Sequence, residues 1–155
     1  MPSTASCDCA YAVTWTQVES EIEMLKMGSD HPSIVAFHGF YRDASGVLCL
    51  VLGYCEGGAL DALTAQQGAT QAYFAEQQIL EWFAQLLSAL HHLHQKRILH
   101  RDIKTSNCFL SKDLRIVRLG DLGIAKQLDS TQDLAHTRLG SPCYMSPEQV
   151  RSALF

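Results

Sequence analysis

No apolar run in these 155 residues approaches the length that spans a bilayer, and Met1 to Ala12 lack the basic start and apolar stretch of a secretory leader. The expectation is therefore a cytoplasmic protein with no membrane partner. Positive charge is also in short supply: 12 lysines and arginines face 16 acidic residues, for a net charge of -4. No basic field exists to grip a phosphate backbone, so no nucleic-acid partner is expected. The six cysteines (Cys7, Cys9, Cys49, Cys55, Cys108 and Cys143) include one close pair, Cys7-Asp8-Cys9, and no second pair to complete a tetrahedral zinc site. They read as free thiols of a reducing compartment. Internal repeats and low-complexity tracts are absent, which argues against a solenoid or an extended linker.

What is present suits a folded core, since 47% of the residues are hydrophobic. Residues 1–14 carry small and polar side chains without period and read as an unstructured lead. From Trp15 to Met27, Val18, Ile22 and Leu25 recur at helical spacing among Glu19, Glu21 and Glu23, which predicts an amphipathic helix ending near Gly28. His31-Pro32 forces an extended exit. Ile34 to Tyr41 and Val47 to Leu52, joined by the turn Asp43-Ala44-Ser45-Gly46, predict a hairpin. The strongest helix spans Glu76 to Gln95, with Ile79, Trp82, Phe83, Leu86, Leu87, Leu90 and Leu93 as one stripe. Cys108 to Leu110 and Ile116 to Leu119 are short strand candidates around the turn Ser111-Lys112-Asp113. His91, His92 and His94 point to different faces of their helix and predict no metal site.

The chemistry concentrates in His100-Arg101-Asp102-Ile103-Lys104-Thr105-Ser106-Asn107, then Asp121-Leu122-Gly123, then Ser146-Pro147-Glu148. In this order and spacing the sequence resembles the serine/threonine type of the eukaryotic protein kinase family. The strings Tyr54-Cys55-Glu56-Gly57-Gly58, Gly120 to Lys126 and Gly140 to Glu148 look most like the NimA-related kinases. Leu122 and Ser146 depart from the family's usual phenylalanine and alanine.

The resemblance implies ATP and Mg²⁺ as cofactors and proteins as substrates. A transferring phosphoryl group needs its charge offset and its attacking hydroxyl held in line. By resemblance, Asp102 accepts the hydroxyl proton, Lys104 neutralises the γ-phosphate, and Asn107 and Asp121 hold metal. Lys104 also points to serine or threonine rather than tyrosine acceptors. Leu52 to Gly58 resembles the hinge, where backbone groups of Gly53, Tyr54 and Cys55 would hydrogen-bond adenine. Glu21 takes the place of the family's helix glutamate that pairs with a strand lysine, with an exposed helix carboxylate as its alternative. Glu148 follows Asp121 by 27 positions, room for an activation loop. There Thr137 is a phosphorylation candidate able to pair with Arg101, and Ser141-Pro142 would line the pocket for the residue after the phosphoacceptor.

The implied fold is α+β, a partial two-lobe kinase domain. Residues 15–52 form a small-lobe remnant, 53–58 the hinge, and 59–155 the mainly helical start of the large lobe through the activation segment. Two family features do not occur in these residues: no Gly-x-Gly-x-x-Gly exists, and the first lysine is Lys26, after Glu21. The helix from Glu76 would also bare apolar surface that later helices of the family cover. The 155-residue chain by itself is thus expected to be marginally stable and weakly active. A catalytically silent, kinase-like binding module and a non-functional fragment remain open beside the kinase reading.

Overall fold

A computed structural model describes residues 15–122, 126–127 and 142–147. The unstructured lead expected for residues 1–14 lies outside the described residues, as do Thr137 and Ser141. Helix α1 (Trp15–Gly28) begins where predicted and ends at a close approach. A Cβ on Gly28 would stand 3.0 Å from both Leu93 Cδ2 and Leu122 Cδ1, so a larger residue at this helix end would make the two leucine side chains shift.

Strands β1 (Phe37–Arg42) and β2 (Leu48–Leu52) form the expected antiparallel hairpin, with Phe40 opposite Leu50 and Arg42 opposite Leu48. Its turn is built by Asp43, whose Oδ1 accepts from the Ser45 amide at 2.9 Å and the Val47 amide at 2.8 Å. Gly46 completes it at φ 81°. The first strand starts later than the sequence suggested, because Ile34 and Val35 leave the hairpin and pair with Leu119: the Val35 amide donates to the Leu119 carbonyl and the Leu119 amide to that of Ser33, both at 2.9 Å.

After β3 (Gly58–Ala59) comes helix α2 (Leu60–Ala69), which the sequence reading did not anticipate. None of its residues is buried, so it lacks the stripe that reveals a helix. Helix α3 (Glu76–Gln95) matches its predicted span. The short strands β4 (Ile98–Leu99), β5 (Cys108–Leu110), β6 (Val117–Leu119) and β7 (Lys126–Gln127) follow; β3, β5 and β6 make one antiparallel sheet, and β4 pairs with β7.

The core joins α1 (Met24, Leu25), Ile34, α3 (Trp82, Ala89, Leu93), Ile98, β5 and β6 (Cys108, Leu110, Val117, Leu119) and Leu122. Two polar side chains fasten α3 to the β5–β6 turn: Trp82 Nε1 donates to the Leu114 carbonyl at 2.8 Å, and Gln85 Nε2 to that of Arg115 at 2.9 Å. The predicted α3 stripe splits. Trp82 and Leu93 face the core, whereas Ile79, Phe83 and Leu87, with Leu80, are exposed as the expected bare apolar face. No helix among the described residues is long and apolar enough to cross a membrane.

Candidate active site

The loop from His100 to Asn107 is fixed from below by a neutral histidine. His100 is buried; its Nε2 lies 2.9 Å from the Gly120 carbonyl, and its Nδ1 accepts from the Asp102 amide at 3.3 Å. One donor and one acceptor describe the neutral ring with its proton on Nε2. Burial pushes the His100 pKa down, which favours that same form. The Gly120 amide returns a bond to the Asn107 carbonyl at 2.9 Å, so the loop and the turn at Asp121 are tied at two points. Gly120 gives this turn its close packing, since a Cβ there would come within 2.7 Å of the Phe109 ring and force the ring to shift.

Those ties hold two residues in the left-handed region that non-glycine side chains rarely adopt, Arg101 at φ 66° and Asp121 at φ 58°. Each costs on the order of 1 to 3 kcal/mol and persists where surrounding structure over-determines it, which is common at functional sites. Burial also lowers the Arg101 pKa.

Above this base, Asp102 is the convergence point. Lys104 Nζ reaches Asp102 Oδ2 at 2.5 Å, and Asn107 Nδ2 donates to the same oxygen at 3.1 Å and to the Asp102 carbonyl at 2.8 Å. Both amide hydrogens of Asn107 are thereby engaged, which fixes the orientation of the amide and leaves Oδ1 as its acceptor. Asp102 and Asn107 are buried and Lys104 half-buried.

Asn107 also lines a cavity of about 600 Å³, bordered by Gly53 to Glu56 on one side and by Phe109, Gly120 and Asp121 on the other. That volume suits a nucleotide-sized ligand. Along the predicted hinge the Gly53 amide already donates to the Ala36 carbonyl at 2.7 Å, and the Cys55 carbonyl accepts from Gly58 at 3.1 Å. This removes the Gly53 amide and the Cys55 carbonyl from the expected adenine contacts and leaves the Gly53 carbonyl, both backbone groups of Tyr54 and the Cys55 amide, which bond no backbone partner among the described residues. Gly57 anchors the hinge, its amide donating to the Leu110 carbonyl at 2.9 Å where a Cβ would collide with the backbone oxygens of Leu110 and Ser111.

The profile of the protein kinase domain matches residues 7–154. The chain belongs to the protein kinase family. Within that family it is 50% identical over 119 residues to the serine/threonine-protein kinase Nek1 of Mus musculus, covering 76% of this chain and 10% of that protein. To Nek4 of Mus musculus it is 44% identical over 131 residues, 84% of this chain and 16% of the relative. To human Nek11 it is 42% identical over 122 residues, 79% of this chain and 18% of the relative. This kinase domain segment therefore resembles the NimA-related kinases while spanning less than a fifth of the length of these three.

The structure brings Asp102, Lys104 and Asn107 together, and sets Gly53, Tyr54, Cys55 and Asp121 around the cavity that Asn107 shares. Glu21 lies on α1, and its side chain is outside the described residues. His100, Phe109 and Gly120 shape the site without having been assigned a part in it. His100 sat inside the quoted His-Arg-Asp, whereas nothing local in the sequence shows that Phe109 and Val35 close on Gly120. Among the described residues no cluster of His, Cys, Asp or Glu is arranged to hold a metal, the histidines of α3 included.

Proposed function

We propose that this kinase domain transfers the γ-phosphoryl group of ATP to serine or threonine hydroxyls of cytoplasmic protein substrates. The observation that carries the reading is the double role of Asn107, whose amide nitrogen holds the Asp102 carboxylate while the residue lines the nucleotide-sized cavity. The residues present fit a nucleotide with a divalent cation: Asn107 offers a carbonyl oxygen whose partner amide hydrogens are taken, and Asp121 adds a carboxylate at the same cavity. Mg²⁺ bound there supplies positive charge against the phosphates. Asp102 accepts the proton of the attacking hydroxyl. Lys104, already paired with Asp102, offsets charge on the transferring group, and backbone groups of Gly53, Tyr54 and Cys55 hold the adenine edge. Arg101 is the docking cation for a phosphate on Thr137, ordering the segment that contains Ser141.

A second reading has its own observation. Within these 155 residues no lysine precedes Lys26, so the chain alone has no strand lysine for the α- and β-phosphates. As an isolated polypeptide it would then be a silent, kinase-like binding module, with phosphotransfer slow or absent. The test is a thermal shift of the 155-residue chain with ATP and Mg²⁺ beside Asp121→Ala, since a ligand that binds only the folded state raises its melting point. A shift abolished in the variant supports the nucleotide site, and phosphorylation of a serine peptide then separates kinase from silent module. No shift in either protein overturns the assignment for this chain.

A further inference from the structure

We propose that the hydroxyls of Thr105 and Tyr144 form a latch that positions the segment around Pro142–Tyr144 against the catalytic loop. The proposal rests on the kinase reading of that loop. Thr105 Oγ1 and Tyr144 Oη lie 2.9 Å apart across 39 residues of sequence. Thr105 opens the single 3₁₀ turn Thr105–Asn107 and stands between the two side chains that hold Asp102, those of Lys104 and Asn107. The turn is short and closed, with the Asn107 amide donating to the Lys104 carbonyl at 3.0 Å. β-Branching further stiffens the threonine side chain. A pull on its hydroxyl is therefore felt by the turn as a unit.

Tyr144 supplies the other half of the argument. Its side chain is 54% exposed, so burial does not hold the ring. The hydroxyl contact adds a directional tie that partial burial does not supply. If the segment at Pro142 receives the residue after the phosphoacceptor, the latch sets the distance between Pro142 and Asp102. A substrate hydroxyl must meet the carboxylate in line, so such a distance governs how productively a bound peptide is presented.

The test compares backbone hydrogen exchange in the 155-residue chain with that of Tyr144→Phe, Thr105→Val, Thr105→Ser and the double variant Thr105→Val/Tyr144→Phe. One neutral hydrogen bond predicts that Tyr144→Phe and Thr105→Val each speed exchange about threefold to tenfold. The acceleration should appear in both residues 103–107 and residues 143–146, with no further gain in the double variant. Thr105→Ser keeps the hydroxyl and should exchange as the parent does. Acceleration confined to the mutated side, additive effects in the double variant, or a serine variant as fast as the valine one would overturn the latch. Wild-type ATP and Mg²⁺ thermal shift is read in parallel: its absence removes the nucleotide reading, while the exchange pattern still decides whether the two hydroxyls are coupled.

Discussion

The β1–β2 hairpin and the β5–β6 pair are both short antiparallel ladders rich in aliphatic residues, yet their side chains meet opposite surroundings. Leu110, Val117 and Leu119 are fully buried beneath α3, whereas Leu50, Val51 and Leu52 are 38% to 43% exposed. One ladder is stabilised by what covers it and the other by its own turn. The loop from His100 to Asn107 leads directly into the covered ladder, and the buried network around His100 and Asp102 needs that rigidity. The cavity is bounded by both, so its two walls differ in firmness.

The largest expected effect breaks the firm side. Leu119→Ala should cost about 2 to 5 kcal/mol of folding stability by opening a cavity in a fully packed core. Leu50→Ala, on the hairpin, should cost less than about 1 kcal/mol because much of its surface is already wet. Urea titrations of both variants check the contrast, and similar losses would show that the ladders do not differ in the way argued. Next in size is His100→Leu, which keeps the bulk but leaves the Gly120 carbonyl and the Asp102 amide without their partner. A loss of about 1 to 3 kcal/mol is expected in the same titration.

The contrast also explains what could be read in advance. Helix α3 was legible end to end because it has a core-facing stripe and tertiary anchors at Trp82 and Gln85. The hairpin was legible through the Asp43 to Gly46 turn, whose chemistry is local. Helix α2 was not, since it buries no residue, and two-residue strands such as β4 and β7 are too short to show any period. In the site, Asp102, Lys104, Asn107 and Asp121 could be named from their order in the chain. That Lys104 and Asn107 share one carboxylate oxygen depends on the exact backbone path of the His100 to Asn107 loop, and that the Gly53 amide is already engaged depends on its meeting Ala36, a separate stretch of chain.

Acidification sharpens the comparison without altering the sequence. The buried His100 has its pKa pushed below the ordinary value of 6.5 by burial, and so does His92 on α3. As pH falls the unfolded chain takes up these protons first. Stability is therefore constant through the neutral range, begins to fall near pH 6.5, and declines until the folded-state values are passed. His100 contributes at most about 1.4 kcal/mol per pH unit within that window, and the more exposed His92 contributes less because solvent screens it. Because Nδ1 of His100 must accept from the Asp102 amide, protonation strikes the His100 to Asn107 loop directly. Denaturation series at pH 7 and pH 5.5 should show the loss, with a smaller slope in His100→Leu. An unchanged slope in that variant would move the effect to His92 or elsewhere.

The smallest effect belongs to the soft side. Asp43→Ala removes the acceptor that the Ser45 and Val47 amides share, but the turn is exposed and Gly46 still donates to the Asp43 carbonyl at 3.0 Å. Hydrogen exchange in the hairpin should quicken about threefold, as the loss of two exposed local bonds to one carboxylate allows. The amides of β5 and β6 should keep their rates, since their ladder takes its support from α3 and shares no bond with that turn. Faster exchange in both ladders would mean that hairpin and core open as one unit, and the cavity's two walls would then have to be treated as a single rigid body.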